Sequence, residues 1–188
     1  MIYEDFAAKW YVAWPRLLQE PRLNALYQHS LSLAQSGNMH LDDSWMPNTP
    51  SLRAEPQMEA LLQDLLPEVE VATGLKLYPT YSYFRVYKQG DILKKHKDRA
   101  ACEISVSLNL GIRGAHHWPL CIQGPLGSAE VSLGPGDALL YRGVECPHWR
   151  EAFRGEHMAQ VFLHYVNQNG PYAEHKYDKR RALNLPEL

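Results

Sequence analysis

The sequence predicts a mainly β fold, a barrel or sandwich, preceded by a helical first third. Apolar residues keep helical spacing up to about residue 74, and short alternating segments separated by turns continue from there to Val166. With 188 residues, 45% of them apolar, the chain can bury one sizeable core as a single domain. We divide it into a helical N-terminal support region (1–74), a β core (75–166) and a C-terminal tail that packs on the core (167–188).

The first third contains two sets of apolar residues at helical spacing, and each set predicts a helix. The first set is Trp10, Val12, Ala13, Leu17 and Leu18, and Pro15 is expected to break this helix. The second set is Leu23, Leu26, Tyr27, Ser30 and Leu31. Residues 41–56 are rich in Pro, Asn, Asp and Ser and predict a loop. A further helix is predicted over residues 57–66, resuming to Gly74.

From Leu75 the spacing is that of strands, whose side chains point alternately to opposite faces. The first strand carries long polar-tipped side chains on one face: Tyr81, Tyr83, Arg85 and Tyr87. The next strand, residues 103–110, has one apolar face and one face of Glu103, Ser105, Ser107 and Asn109. The remaining predicted strands are 119–122, 129–133, 138–141 and 159–166, with Gly- and Pro-containing turns between them.

Composition and charge exclude several classes of protein. A net charge of −2 gives no broad basic field for nucleic acid. No stretch approaches the roughly 20 apolar residues that a membrane-spanning helix needs. Three cysteines (Cys102, Cys121 and Cys146) without a Cys-x-x-Cys spacing argue against a disulfide framework or a cysteine zinc site. We therefore expect a cytoplasmic protein with reduced cysteines.

Two short motifs, 52 residues apart, carry the candidate chemistry. His96 and Asp98 form a His-x-Asp pair, whose side chains point the same way if they lie on a strand. The turn Pro135–Asp137 leads into a core strand ending at Tyr141, and His148 follows after a short loop. Two imidazoles and one carboxylate are the ligand set of a facial triad, which binds Fe(II) and leaves positions open for substrate and oxygen.

The order of these motifs and strands over residues 80–166 resembles the 2-oxoglutarate- and Fe(II)-dependent oxygenases, in particular their prolyl 4-hydroxylase-like branch. The resemblance implies a double-stranded β-helix, a jelly-roll or cupin-like barrel with the metal at its mouth. It implies His96, Asp98 and His148 as the iron ligands. It further implies use of 2-oxoglutarate and O2 to hydroxylate a substrate, with release of succinate and CO2 and with ascorbate as a supporting reductant.

The resemblance also places Tyr87, nine residues before the first histidine, in contact with the cosubstrate. In one respect the chain departs from the pattern. The family usually has Arg or Lys nine or ten residues after the distal histidine, where this chain has His157 or Met158. A guanidinium can clamp a carboxylate with two parallel hydrogen bonds, so arginines are the better chemical candidates. The other cationic candidates are Arg154, Arg150, Arg85 and Lys94.

The substrate is expected to be a small molecule or a peptide or protein side chain, with no nucleic-acid or membrane partner. The missing downstream cation leaves a second hypothesis open. It is a cupin-like metal-dependent enzyme, or a metal-binding module, that does not use 2-oxoglutarate.

Overall fold

The computed structural model describes residues 2–41 and 46–184, which form four α-helices and ten β-strands. The helices are α1 (Ile2–Lys9), α2 (Arg22–Gln35), α3 (Pro56–Asp64) and α4 (Leu66–Thr73). The strands are β1 (Tyr11–Trp14), β2 (Ser51–Arg53), β3 (Leu77–Lys88), β4 (Leu93–His96), β5 (Ile104–Arg113), β6 (Leu120–Gly124), β7 (Gly127–Val131), β8 (Ala138–Arg142), β9 (His148–Arg150) and β10 (His157–Asn167).

The strands form two antiparallel sheets whose inner faces pack against each other. The larger sheet has six strands in the order β1-β8-β5-β10-β3-β2, and the smaller has four in the order β4-β9-β6-β7. Strands that are distant in sequence are therefore neighbours, as in the Greek-key connections of a jelly roll. This arrangement confirms the predicted double-stranded β-helix with supporting helices.

The helices cover the outer face of the larger sheet. One apolar cluster joins Leu61 and Leu62 of α3 and Val69 of α4 to Phe84 of β3 and Val161 of β10. Because side chains alternate along a strand, the other face of the same strands is left to line the space between the sheets. No helix within residues 2–41 and 46–184 has the length and apolar character required to cross a bilayer.

The prediction of a helix over residues 10–18 is wrong. The helix ends at Lys9, and residues 11–14 form β1, which pairs antiparallel with β8 from Tyr11–Tyr141 to Trp14–Ala138. Pro15 stops a helix, and aromatic and β-branched residues suit a strand at an open sheet edge. Tertiary pairing therefore overrides the helical spacing of the apolar residues.

The prediction of a loop over residues 41–56 is wrong for its last part. Residues 51–53 form β2, which pairs with β3 and extends the edge of the larger sheet. The helices after it match the prediction, with α4 ended by Gly74 in the left-handed conformation at φ 70°. The part of the loop formed by residues 42–45 lies outside the described residues.

The chain after β10 is held to the core by two groups of ion pairs. Arg180 donates two hydrogen bonds of 2.9 Å to the carboxylate of Glu59 in α3 and one of 2.7 Å to the carbonyl of Thr80. Asp178 accepts hydrogen bonds from both Arg53 and Arg99. These contacts bring residues 178–180 to the open end of the barrel.

Candidate metal centre

The two predicted motifs meet at one end of the barrel. His96 ends β4 and His148 begins β9, and these two residues are direct partners across the smaller sheet. Asp98 follows on the loop after β4, where its backbone N–H donates to the carbonyl of Gly143 at 2.9 Å. Ligand atoms of the three residues all lie within 4.8 Å of one another. The structure thus brings together three candidate ligands from two motifs that are 52 residues apart in sequence.

The geometry of this group suits a single ion. Asp98 Oδ1 lies 3.7 Å from His96 Nε2 and 3.6 Å from His148 Nε2. Two ligand atoms bound at right angles to one ion, each about 2.1 Å away, are roughly 3 Å apart, so small movements would complete the face of an octahedron. All three side chains are at most 17% exposed.

Backbone carbonyls fix the orientation of both imidazoles. His96 Nδ1 lies 2.8 Å from the carbonyl oxygen of Lys94, and His148 Nδ1 lies 3.0 Å from that of Cys146. Carbonyl oxygens only accept, so each Nδ1 carries the proton and each Nε2 presents its lone pair. Burial lowers the pKa of His148, which keeps this imidazole neutral and able to bind a metal.

A buried hydroxyl orients the carboxylate. Ser105 Oγ donates to Asp98 Oδ2 at 3.1 Å and lies 2.9 Å from His164 Nδ1, within hydrogen-bond distance. The second oxygen, Oδ1, is thereby turned towards the two imidazole nitrogens. Neither the hydroxyl nor its role was identified from sequence; the polar face predicted for this strand, which includes Ser105 and Ser107, was the available signal.

We predict that His164 makes the metal-free protein sensitive to acid. Burial lowers the pKa of His164 from its ordinary 6.5 to about 4. Below pH 6.5 the unfolded chain takes up a proton at His164 while the folded chain does not. The free energy of unfolding therefore decreases as the pH falls from 6.5 to about 4. The loss attributable to this group is roughly 3 kcal/mol.

Urea unfolding of metal-free protein at several pH values across this range measures the effect. His164→Gln is expected to flatten the decline in unfolding free energy, whereas His116→Gln, at an exposed position, leaves it unchanged. An equally steep decline in His164→Gln would contradict the assignment.

A cavity of about 410 Å³ opens beside the three candidate ligands. Its walls carry four tyrosines, three cations and the ligands themselves: Tyr81, Tyr83, Tyr87, Tyr141, Arg85, Lys97, Arg99, His96, Asp98 and His148. The predicted face of β3 therefore lines this cavity. Cys102 is also in the wall, but burial raises the pKa of its thiol to about 12, which disfavours the thiolate needed for metal binding.

Comparison with known proteins gives a fold-level answer. Neither a protein-family profile nor a curated protein sequence matches the chain. Among solved structures, a Pseudomonas putida prolyl-4-hydroxylase matches with a TM-score of 0.73 at 16% identity, over 88% of this chain and 97% of that one. The epimerase SnoN, in complex with Fe3+, alpha ketoglutarate and nogalamycin RO, matches with a TM-score of 0.76 at 12% identity, over 100% and 91%.

The same comparison finds HygX from Streptomyces hygroscopicus, solved with nickel, 2-oxoglutarate and hygromycin B. It matches with a TM-score of 0.70 at 12% identity, over 98% of this chain and 93% of that one. This chain has the fold of the 2-oxoglutarate- and Fe(II)-dependent oxygenases. Their fold accounts for nearly the whole chain, including the helices and edge strands outside the predicted resemblance.

Within this oxygenase fold, two of the four predicted cosubstrate residues line the cavity. Tyr87, only 1% exposed, packs edge-on against Trp118 with ring centroids 4.9 Å apart. Arg85 donates to the hydroxyl of Tyr83 at 2.8 Å. Both remain candidates for contact with a cosubstrate.

The other two predicted cosubstrate residues, His157 and Arg154, are not brought to this cavity, and the expectation for them needs correction. In β10, alternation turns Met158 into the barrel and His157 towards the helices, where its Nε2 lies 2.7 Å from the hydroxyl of Tyr27. Arg154 is exposed and lines a separate cavity of about 280 Å³. The position where the family usually has a cation is therefore filled by an uncharged thioether.

Proposed function

We propose that this protein is a non-haem Fe(II) oxygenase that uses 2-oxoglutarate and O2 to hydroxylate an organic substrate, releasing succinate and CO2. One observation carries the proposal. Two imidazoles and a carboxylate, His96, His148 and Asp98, present ligand atoms within 4.8 Å of one another at the mouth of an oxygenase-type barrel.

The donor set fits iron. Two nitrogens and one carboxylate oxygen suit Fe(II), and three protein ligands on one face leave the opposite positions for a chelating acid and oxygen. Iron bound there with 2-oxoglutarate would supply the oxygen activation that amino-acid side chains cannot perform.

The protein's own residues hold and shield the reacting groups. Backbone carbonyls accept from Nδ1 of His96 and His148, so Nε2 of each ring is directed at the site, and Ser105 holds one oxygen of Asp98 so that the other faces the two Nε2 atoms. The aromatic side chains of Tyr87 and Tyr141 line the inner cavity and would displace water around a bound acid, which strengthens electrostatic interactions there. Substrate would approach from the open side, where Arg99 and Lys97 line the same cavity.

A second candidate function is a metal-dependent enzyme or metal-binding module of the same fold that does not use 2-oxoglutarate. Met158, where a cation is expected, and the outward-facing His157 favour it. The two candidates differ in one measurable property, which is binding of a 2-oxo acid to the metal.

The substrate class that we propose is broad: a small molecule or a peptide or protein side chain, and no nucleic acid. Proteins of this fold include a prolyl hydroxylase solved with a peptide fragment and HygX solved with hygromycin B, which supports keeping both classes open. We further propose a cytoplasmic location. All three cysteines are free and buried, which is compatible with a reducing compartment.

We predict that His96→Ala abolishes Fe(II) binding and turnover, because the two remaining ligands cannot form a facial site. The measurement is anaerobic Fe(II) titration, followed by detection of succinate from 2-oxoglutarate with O2 and ascorbate. His116→Ala, which removes an exposed imidazole, is the matched control and should retain both properties. Undiminished Fe(II) affinity in His96→Ala would refute the ligand assignment, and wild-type protein that binds Fe(II) but forms no succinate would favour the second candidate.

A further inference from the structure

Arg150 is a fully buried arginine whose charge has no partner of opposite sign among the residues that the structure describes. It is 2% exposed, and its guanidinium donates to Met158 Sδ at 3.3 Å and Gln160 Oε1 at 3.2 Å. It also stacks over the ring of Trp118, 4.6 Å from the centroid. Within residues 2–41 and 46–184, no carboxylate pairs with it. All its described partners are therefore neutral.

The same chain shows how a structural buried arginine is accommodated. Arg180 is as deeply buried, but it pairs through two hydrogen bonds with the carboxylate of Glu59. Burying a charge without a counter-ion is unfavourable, because the lost hydration is not replaced. Retaining a guanidinium at position 150 is thus explained most directly if an anion joins it.

The position of Arg150 relative to the candidate metal site indicates which anion. Arg150 lies two residues after His148 on β9, so both side chains point into the barrel, with Cα atoms about 7 Å apart. Its guanidinium is 5.9 Å from the ring centroid of Tyr87, which lines the cavity beside the ligands. An acid that chelates the metal at one end would need a second carboxylate a few atoms away to reach this group.

The contact with Met158 relates Arg150 to the missing cation. Met158 occupies the position on β10 where the resemblance predicted Arg or Lys, and Arg150 reaches from β9 to the sulfur of that same residue. A charge is therefore present beside the expected position, but it is supplied by β9 of the facing sheet. Gln160 accepts a hydrogen bond from the guanidinium of Arg150, and its own amide N–H donates to the hydroxyl of Ser107 at 2.7 Å. These two contacts hold the guanidinium in place.

We propose that Arg150 binds the carboxylate of 2-oxoglutarate that is farthest from the metal. This inference rests on the proposed function and deepens it, because it assigns the acid clamp of the same site. The flat guanidinium offers two parallel N–H donors to one carboxylate, and it carries its charge at every physiological pH. Arg85, a buried arginine that lines the cavity directly, is the rival, and it already donates to the hydroxyl of Tyr83.

The experiment compares two 2-oxo acids on Fe(II)-loaded protein without oxygen. Both 2-oxoglutarate and pyruvate chelate through the 2-oxo acid group, but only 2-oxoglutarate has a second carboxylate. Arg150→Met should weaken 2-oxoglutarate binding about 100-fold and leave pyruvate binding unchanged. Arg150→Lys, which keeps the charge without the planar fork, should lose about tenfold. Affinities are read from the visible charge-transfer band or by calorimetry.

Controls separate this inference from the proposed function. Arg113→Met, at a residue whose side chain is 70% exposed, should alter neither affinity, and Fe(II) affinity without acid should be equal in all variants. The assignment of Arg150 would be overturned if Arg150→Met bound 2-oxoglutarate as tightly as wild type. It would also be overturned if Arg85→Met lost 2-oxoglutarate binding while Arg150→Met kept it. Either result would leave the proposed function unaffected. Failure of iron-loaded wild-type protein to bind either acid would remove both.

Stability gives a readout that a merely structural arginine would not produce. Since the charge of Arg150 is uncompensated in the acid-free protein, Arg150→Met should melt at the same temperature as wild type or higher. Addition of 2-oxoglutarate should raise the melting temperature of iron-loaded wild type but not that of the variant. A large fall in the melting temperature of acid-free Arg150→Met would overturn the inference.

Discussion

Gly143→Ala should cost at least about 100-fold in metal affinity, although it changes no ligand and adds only one methyl group. A Cβ at this position would overlap the carboxylate of Asp98 and the backbone oxygen of Cys102. The backbone cannot yield easily, because Gly143 also accepts from the N–H of Asp98 and donates to the carbonyl of Glu103. The carboxylate therefore has to leave the position from which it faces both imidazoles.

Anaerobic Fe(II) titration, with circular dichroism to verify the fold, measures this effect. Gly134→Ala is the matched control, since its added Cβ would meet only Asp137 Oδ2 at 3.3 Å, at the far end of β8. That variant should bind Fe(II) as wild type does. If Gly143→Ala bound iron normally, Asp98 would not be a ligand in the described position.

Arg180→Ala is expected to destabilise the protein by about 3–5 kcal/mol, because it leaves the carboxylate of Glu59 buried without a counter-ion. Glu59 is 0% exposed and accepts two hydrogen bonds from Arg180, so the variant deprives a buried carboxylate of both. Denaturant unfolding of the metal-free protein gives the change in free energy. The adjacent Arg181 is exposed, and Arg181→Ala should change stability by less than about 0.5 kcal/mol.

A double variant tests the cause of that loss. Arg180→Met combined with Glu59→Leu removes both charges, and it should recover most of the stability lost in Arg180→Ala. A double variant as unstable as the single one would show that packing, and not the unpaired charge, holds residues 178–180 to the barrel.

The features that follow from local sequence were predictable. The period of two along β3 correctly grouped Tyr81, Tyr83, Arg85 and Tyr87 on one face, and that face lines the cavity. The His-x-Asp pair, the distant histidine and the order of the strands together predicted the cluster of His96, Asp98 and His148. Local spacing places His96 and Asp98 close together, and the predicted barrel brings His148 to the same end.

Features that depend on contacts between distant segments were not predictable. Residues 11–14 and 51–53 become strands only because β8 and β3 offer open edges to them. For the acid clamp, sequence spacing left His157 and several arginines equivalent. The face of each strand distinguishes them, because Met158 rather than His157 faces into the barrel, and it supports Arg150 as the proposed clamp. Gly143 was not identified at all, since its importance lies in its distance from Asp98.

The way in which the two imidazoles are oriented has a consequence for evolution and engineering. His96 and His148 are held by main-chain carbonyls of Lys94 and Cys146, and every amino acid provides such a carbonyl. Side chains elsewhere around the pocket can therefore be exchanged without changing the direction in which either imidazole presents its lone pair. Libraries that vary Tyr81 and Tyr83 should yield altered selectivity while most members keep the orientation of the candidate metal ligands, which makes this scaffold a tolerant starting point for redesign.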